Sequence, residues 1–183
     1  MRKPTISERS FEDWCYQNEI KCQPIKRARV DGFRRPDFAI KVGGHWCVVE
    51  VKEINPNPED KHQLAIALEK KQEVIGFWKV SPGTRLIRGL RDAETQLRKF
   101  SMRGLPTVIC FLDNTLGFYD EPREVKQAMR RVETDVISAV GILRKPIADW
   151  VVELFRYPGA RVRITADCAG QLVRQNITLV HEG

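Results

Sequence analysis

Two carboxylates and an ammonium share one small surface if a short stretch of this chain folds as its residues dictate. Residues Asp37 to Val42 and His45 to Ile54 both read as strands, and Gly43-Gly44 between them accepts the positive φ of a two-residue hairpin turn. That turn sets a register in which Val42 faces His45, Ala39 faces Val48 and Asp37 faces Glu50. Directly opposed residues have Cβ atoms about 5 Å apart on one face, and like charges placed there repel. A divalent cation would remove the penalty. Alternation puts Lys52 on the same face as Glu50, while Cys47, Val49 and Val51 face the other way, toward a core. Hard oxygen donors of this kind suit Mg2+, which takes one or two protein carboxylates and keeps waters and phosphate oxygens in its other positions. A lysine beside it can orient or deprotonate a water and neutralise charge building on a phosphate. The competing reading is a solvated hairpin face whose ion pair is worth about 0 to 1 kcal/mol.

The elements that must hold this hairpin follow from periodicity. Phe11, Trp14, Cys15 and Asn18 recur at helical spacing and predict a helix from about Ser7 to Asn18, opened by the capping-box sequence Thr5-Ile6-Ser7-Glu8. Ile20 to Arg29, around Pro24, reads as an edge strand, because proline cannot donate to a central ladder, and Asp31-Gly32 as a turn. After a loop over Ile54 to Asp60 comes a helical segment from about Lys61 to Val74, then the breaker Ser81-Pro82-Gly83. From Thr84 to Met102, Leu86, Ile87, Leu90, Ala93, Leu97 and Phe100 form one apolar stripe, and Gly104 ends that helix. Pro106 to Leu112 is almost wholly apolar, the pattern of a strand buried on both faces at a parallel crossover position. A basic helix near Pro122 to Arg131 precedes strand-like runs at Val136 to Leu143 and Trp150 to Tyr157, with a weaker one at Arg161 to Thr165.

The 183 residues suit one domain, and 42% hydrophobic with 30% charged residues excludes disordered and fibrous classes. No apolar run approaches the ~20 residues of a membrane helix, and no apolar stretch follows the basic N-terminus, so a soluble, unexported chain with no membrane partner is expected. Its 5 cysteines are scattered without a C-x-x-C pair, which predicts neither disulfides nor zinc and points to a reducing cytoplasm. Cys47 and Cys110 read as core; His45 and His62 lack a paired ligand and read as surface. Lys plus Arg number 31 against 24 acids, and the net charge of +7 favours a polyanionic partner. Arg27, Arg29, Arg34 and Arg35 lead into the hairpin, where they could hold a phosphate backbone; a generic solvated face is the alternative.

Pro36-Asp37, followed after the turn by Glu50-Val51-Lys52, resembles the signature of the PD-(D/E)XK nuclease superfamily, which includes restriction endonucleases and Holliday-junction resolvases. The resemblance covers roughly Ser7 to Leu112. It implies an α/β, restriction endonuclease-like fold with an αβββαβ core and a mixed central sheet flanked by helices, the residues from 113 to 183 packing on that core within a single domain. It also implies hydrolysis of phosphodiesters, in DNA rather than RNA and within the chain rather than from its ends. Asp37, Glu50 and the Val51 carbonyl would hold Mg2+, with Mn2+ as a substitute, and Lys52 would be the catalytic lysine. By the same resemblance Glu8 matches a glutamate that many members place on the first helix, and Gln96 a polar residue on the helix flanking the site. One departure is the long segment Pro56 to Gly83 between the lysine strand and that helix. A homodimer or a partner protein is compatible with this reading. Two other classes stay open: a non-catalytic nucleic-acid-binding or scaffold protein retaining the fold, and an enzyme acting on a small phosphorylated molecule. The second lacks a glycine-rich phosphate loop, and no helix-turn-helix or zinc finger supplies sequence recognition.

Overall fold

The first helix, α1 (Ile6–Gln17), begins where the sequence supplies a cap. In a computed structural model of the chain, Thr5 Oγ1 accepts from the Glu8 N–H at 3.2 Å and Glu8 Oε2 accepts from the Thr5 N–H at 2.7 Å. This is the reciprocal capping box expected there. The structure describes residues 3–25, 35–55, 62, 66, 69, 82–114, 122–145, 149–157, 159–164 and 177–179. Phe11, Trp14 and Cys15 are buried along α1. Asn18 does not extend that stripe; it caps the C-terminus, where its Nδ2 donates to the Trp14 carbonyl at 2.9 Å.

A residue in the left-handed region, Glu19 at φ 55°, turns the chain into β1 (Lys21–Pro24). The strand stops at Pro24, short of the expected Arg29, and the turn at Asp31-Gly32 lies outside the described residues. β2 (Phe38–Val42) and β3 (His45–Ile54) form the hairpin, with Gly43 at φ 59° and Gly44 at φ 81° and the register Val42↔His45 through Phe38↔Val49. The helix expected from Lys61 to Val74 lies outside the described residues except at positions 62, 66 and 69, which are helical.

α2 (Pro82–Ser101) starts at Pro82 rather than after it, because a proline in the first helical turn gives up no hydrogen bond and its fixed φ suits the helix. It buries Leu86, Leu90, Ala93 and Leu97 over β3 and β4. A Cβ at Gly89 would lie 2.6 Å from the Phe111 ring, so the glycine permits the close approach of α2 to β4. β4 (Thr107–Asp113) pairs with β3 in parallel, from Val48↔Thr107 to Ile54↔Asp113, as the apolar run implied.

Residues beyond Leu112 continue the same sheet. α3 (Pro122–Arg131) leads to β5 (Ala139–Arg144), parallel to β4, then β6 (Val151–Arg156), antiparallel to β5, and β7 (Ile177–Leu179), parallel to β6. Among the described residues the strands form one seven-stranded mixed sheet in the order β1 to β7. The core on one face packs under α1, and the core on the other packs under α2 and α3.

Two expectations are corrected here. Val136 to Ser138 do not begin β5: the Thr107 hydroxyl donates to the Val136 carbonyl, and at Ser138 a bond from the Thr107 N–H to Oγ at 3.0 Å stands beside backbone bonds to Thr107 and Tyr157, so side-chain bonds are mixed in before the regular ladder starts at Ala139. Arg161 to Ile164 form no strand either. They are tied down singly, through the Arg161 N–H to the Asp135 carbonyl at 2.8 Å and Ser138 Oγ to the Val162 carbonyl at 2.5 Å.

Candidate functional site

The β2–β3 ladder ends at Phe38↔Val49, and beyond it a side chain takes over from backbone. The Asp37 N–H donates to the Val49 carbonyl at 3.1 Å, the Ile25 N–H donates to the Asp37 carbonyl at 2.9 Å, and Asp37 Oδ2 accepts the Val51 N–H at 2.9 Å. In an extended strand the N–H and C=O of one residue point to the same edge. The Val51 carbonyl therefore faces the Asp37 side, past the last β2–β3 rung.

Glu50, the next residue on this edge, is only 3% exposed. Its Oε1 forms an ion pair with the Lys52 ammonium, while Oε2 is buried with no hydrogen-bond partner. A buried carboxylate oxygen left without a donor is costly, and it is the kind of oxygen a cation accepts. Lys52 is part-exposed and lies beside Phe111 of β4 on the same face, next to the carboxylates rather than out on the surface.

The electrostatics follow from that packing. Burial first, and the Asp37 carboxylate next, push the Glu50 carboxyl up to about 7, with Lys52 acting in the opposite sense. Burial also raises Asp37, opposed by the Val51 N–H and reinforced by Glu8, whose carboxyl contacts it. A carboxyl that holds its proton more tightly in the fold than in the unfolded chain stabilises the fold most at low pH. For Glu50 that contribution is lost as pH rises from its ordinary 4.5 through about 7, and its full size is on the order of 3 kcal/mol. In EDTA, the denaturation midpoint of wild type is expected to fall from pH 5 to pH 8 and that of Glu50→Gln to fall distinctly less. Equal slopes for the two proteins would remove this account of Glu50.

Glu8 is 8% exposed and serves two purposes, closing the capping box through Oε2 and adjoining Asp37. What brings it there is Glu53, whose Oε1 accepts the Ser7 N–H at 3.1 Å and fastens the start of α1 to β3. Sequence reasoning missed Glu53. Its only signal was a charge at the end of the Cys47, Val49, Val51 side, where alternation calls for an apolar residue. Gln96 is buried in α2 at 9% exposure, and among the described residues no hydrogen bond joins it to Asp37, Glu50 or Lys52. Arg35 is half-buried two residues before Asp37, whereas Arg27, Arg29 and Arg34 lie outside the described residues.

The described residues contain no group of three or more His, Cys, Asp and Glu arranged to hold a metal ion. The donors on this edge are a pair of carboxylates with a backbone carbonyl beside them, which is the sparse donor set that Mg2+ accepts. Cys47 and Cys110 are buried in the core, and His45 is exposed at the turn. Among the described residues no helix is long and apolar enough to cross a membrane.

No protein-family model matches the chain, and no curated protein matches it. A solved structure of SfsA from Pyrococcus furiosus, in complex with Ca2+, is similar at 16% identity over 78% of this chain, with a TM-score of 0.27. This chain spans 56% of the length of that one. So loose a superposition carries no weight for the chemistry, which rests on the residues above.

Proposed function

We propose that this chain is a metal-dependent nuclease that hydrolyses phosphodiester bonds in DNA, cutting within strands. The observation that carries the reading is the buried, donorless Oε2 of Glu50, set near Asp37, the residue before β2, and one alternation from Lys52. The donor set fits Mg2+ or Mn2+: Asp37, Glu50 and the Val51 carbonyl would hold the ion, and Glu8 adjoins Asp37 from α1. When bound, such an ion acidifies a water and neutralises charge on the phosphate.

The remaining chemistry belongs to the chain's own groups. Lys52, anchored to Glu50 Oε1, presents its part-exposed ammonium to the space beside the carboxylates, where it orients the attacking water and stabilises charge gathering on a non-bridging phosphate oxygen. Asp37, its carboxylate held by the Val51 N–H and its backbone carbonyl by the Ile25 N–H just past β1, is positioned before substrate arrives. The net charge of +7 supplies long-range attraction for a polyanion. Gln96 is a positioning candidate from α2.

The test is incubation with linear, supercoiled, branched and single-stranded DNA and with RNA, each in Mg2+, Mn2+ or EDTA. Nicking or linearisation of supercoiled DNA is expected with either metal and none with EDTA. Inertness toward every polymer in both metals would overturn the proposal.

A further inference from the structure

The carboxylates lie on a face of the sheet whose β1 and β2 part carries exposed side chains. We propose that Lys21 and Lys41, gathered beside Trp46 on that face, form a two-ammonium clamp for the phosphate backbone of the DNA strand that runs into the site. The inference rests on the nuclease reading above.

The register makes the juxtaposition. Lys21 pairs with Lys41 across β1 and β2, and Lys41 pairs with Trp46 across β2 and β3, so the three side chains form one row. Their strands' opposite face carries Ile40, Val42, Cys47 and Val49 in the core. The row therefore shares its face with Ala39 and Val48, and with Asp37 and Glu50 beyond them. Both lysines are exposed and Trp46 is half-buried.

Two ammoniums placed directly opposite each other repel. Among the described residues neither lysine is neutralised by an ion pair. The Lys21 ammonium stands over the Trp46 ring, 5.7 Å from its centroid, an attraction that offsets part of the repulsion and fixes where the charge sits. A phosphate between the two lysines removes the rest.

Among the described residues, exposed side chains of β1 and β2 line the way from clamp to carboxylates. Lys41 and Asp37, like Trp46 and Glu50, are four positions apart, about 13 Å of extended chain, or a few nucleotides of a backbone with one phosphate per ~3.4 Å of helix axis. Midway lies Ala39, half-buried and too small to obstruct, flanked by the exposed amide of Gln23. α2 packs over β3 and β4. The exposed side chains of β1 and β2 leave the other half of this face accessible. An acidic peptide could satisfy one ammonium pair, but a polymer with evenly spaced anions meets both the clamp and the site at once.

The experiment is Ca2+-supported binding of a labelled DNA duplex over a series of salt concentrations, for wild type, Lys21→Ala/Lys41→Ala and Lys21→Arg/Lys41→Arg, with circular dichroism to compare folds. The Ala variant is expected to lose about 1.8 from the slope of log affinity against log salt, two contacts at ~0.9 each. The Arg variant is expected to keep the wild-type slope. An unchanged slope in the Ala variant overturns the clamp, and if wild type still cleaves DNA the nuclease reading survives. Equal loss in both variants also overturns it, since lost charge is then not the cause. A wild-type chain that neither binds nor cleaves DNA overturns both.

Discussion

Lys52→Met is expected to slow single-turnover DNA cleavage about a hundredfold or more, the usual contribution of a positioned charge or proton-transfer group. Ca2+-supported DNA binding should change far less, because one exposed phosphate contact is worth much less than that. The structure adds a second signature. Lys52 is the cation that holds the Glu50 carboxyl down against burial and Asp37, so its loss lets Glu50 keep its proton to higher pH. The acid limb of the pH–rate profile should accordingly move upward in Lys52→Met, and Mg2+ should bind more weakly near neutrality. A variant that cleaves at the wild-type rate once bound would reduce Lys52 to a surface contact and take away the main mechanistic element of the nuclease reading.

Removing either carboxylate is expected to cost about a hundredfold or more in cleavage, at metal concentrations too low to saturate a damaged site. The two positions should part company in stability. Repulsion between like charges alone would make any such substitution stabilising, and Glu50→Gln, which also removes a buried charge, should raise the denaturation midpoint at pH 8. Asp37 differs because its Oδ2 holds the Val51 N–H. Asp37→Asn keeps an oxygen in that place, whereas Asp37→Ala strands the N–H at a cost of roughly 1 to 3 kcal/mol. Denaturant melts in EDTA, run beside cleavage assays, check both halves. Full cleavage by Asp37→Asn or Glu50→Gln at limiting Mg2+ would remove the metal-binding role.

The parts of this fold that local chemistry dictates were legible in the sequence. Gly43 and Gly44 can take the positive φ that a two-residue turn demands, and once they do, the pairings from Val42↔His45 to Phe38↔Val49 follow, with Asp37 just beyond the last of them. The almost unbroken apolar run to Leu112 has the pattern of a doubly covered strand, and it lies parallel to β3. Illegible were the places where a side chain substitutes for backbone. Thr107 and Ser138 use their hydroxyls to hold irregular chain beside the sheet, so the apolar run from Val136 looked like strand before it was strand. Glu53 was invisible for a similar reason: its partner is an N–H at the start of α1, 46 residues away, and no local pattern announces it. β7 carries three residues, too few for alternation to register.

Glu8 joins two events that a reader of either alone would treat as separate. One of its oxygens terminates a helix, and the same carboxyl leans on Asp37. Any ligand that draws this group toward Asp37 must do so against the hydrogen bond from the Thr5 N–H, one half of the capping box. Coupling of this sort is reciprocal: whatever frays the first turn of α1 changes affinity at the carboxylates by the same factor that occupancy there changes the order of the turn. Thr5, the residue preceding α1, thus sits in the thermodynamic cycle of the site, although it does not have to touch what binds there.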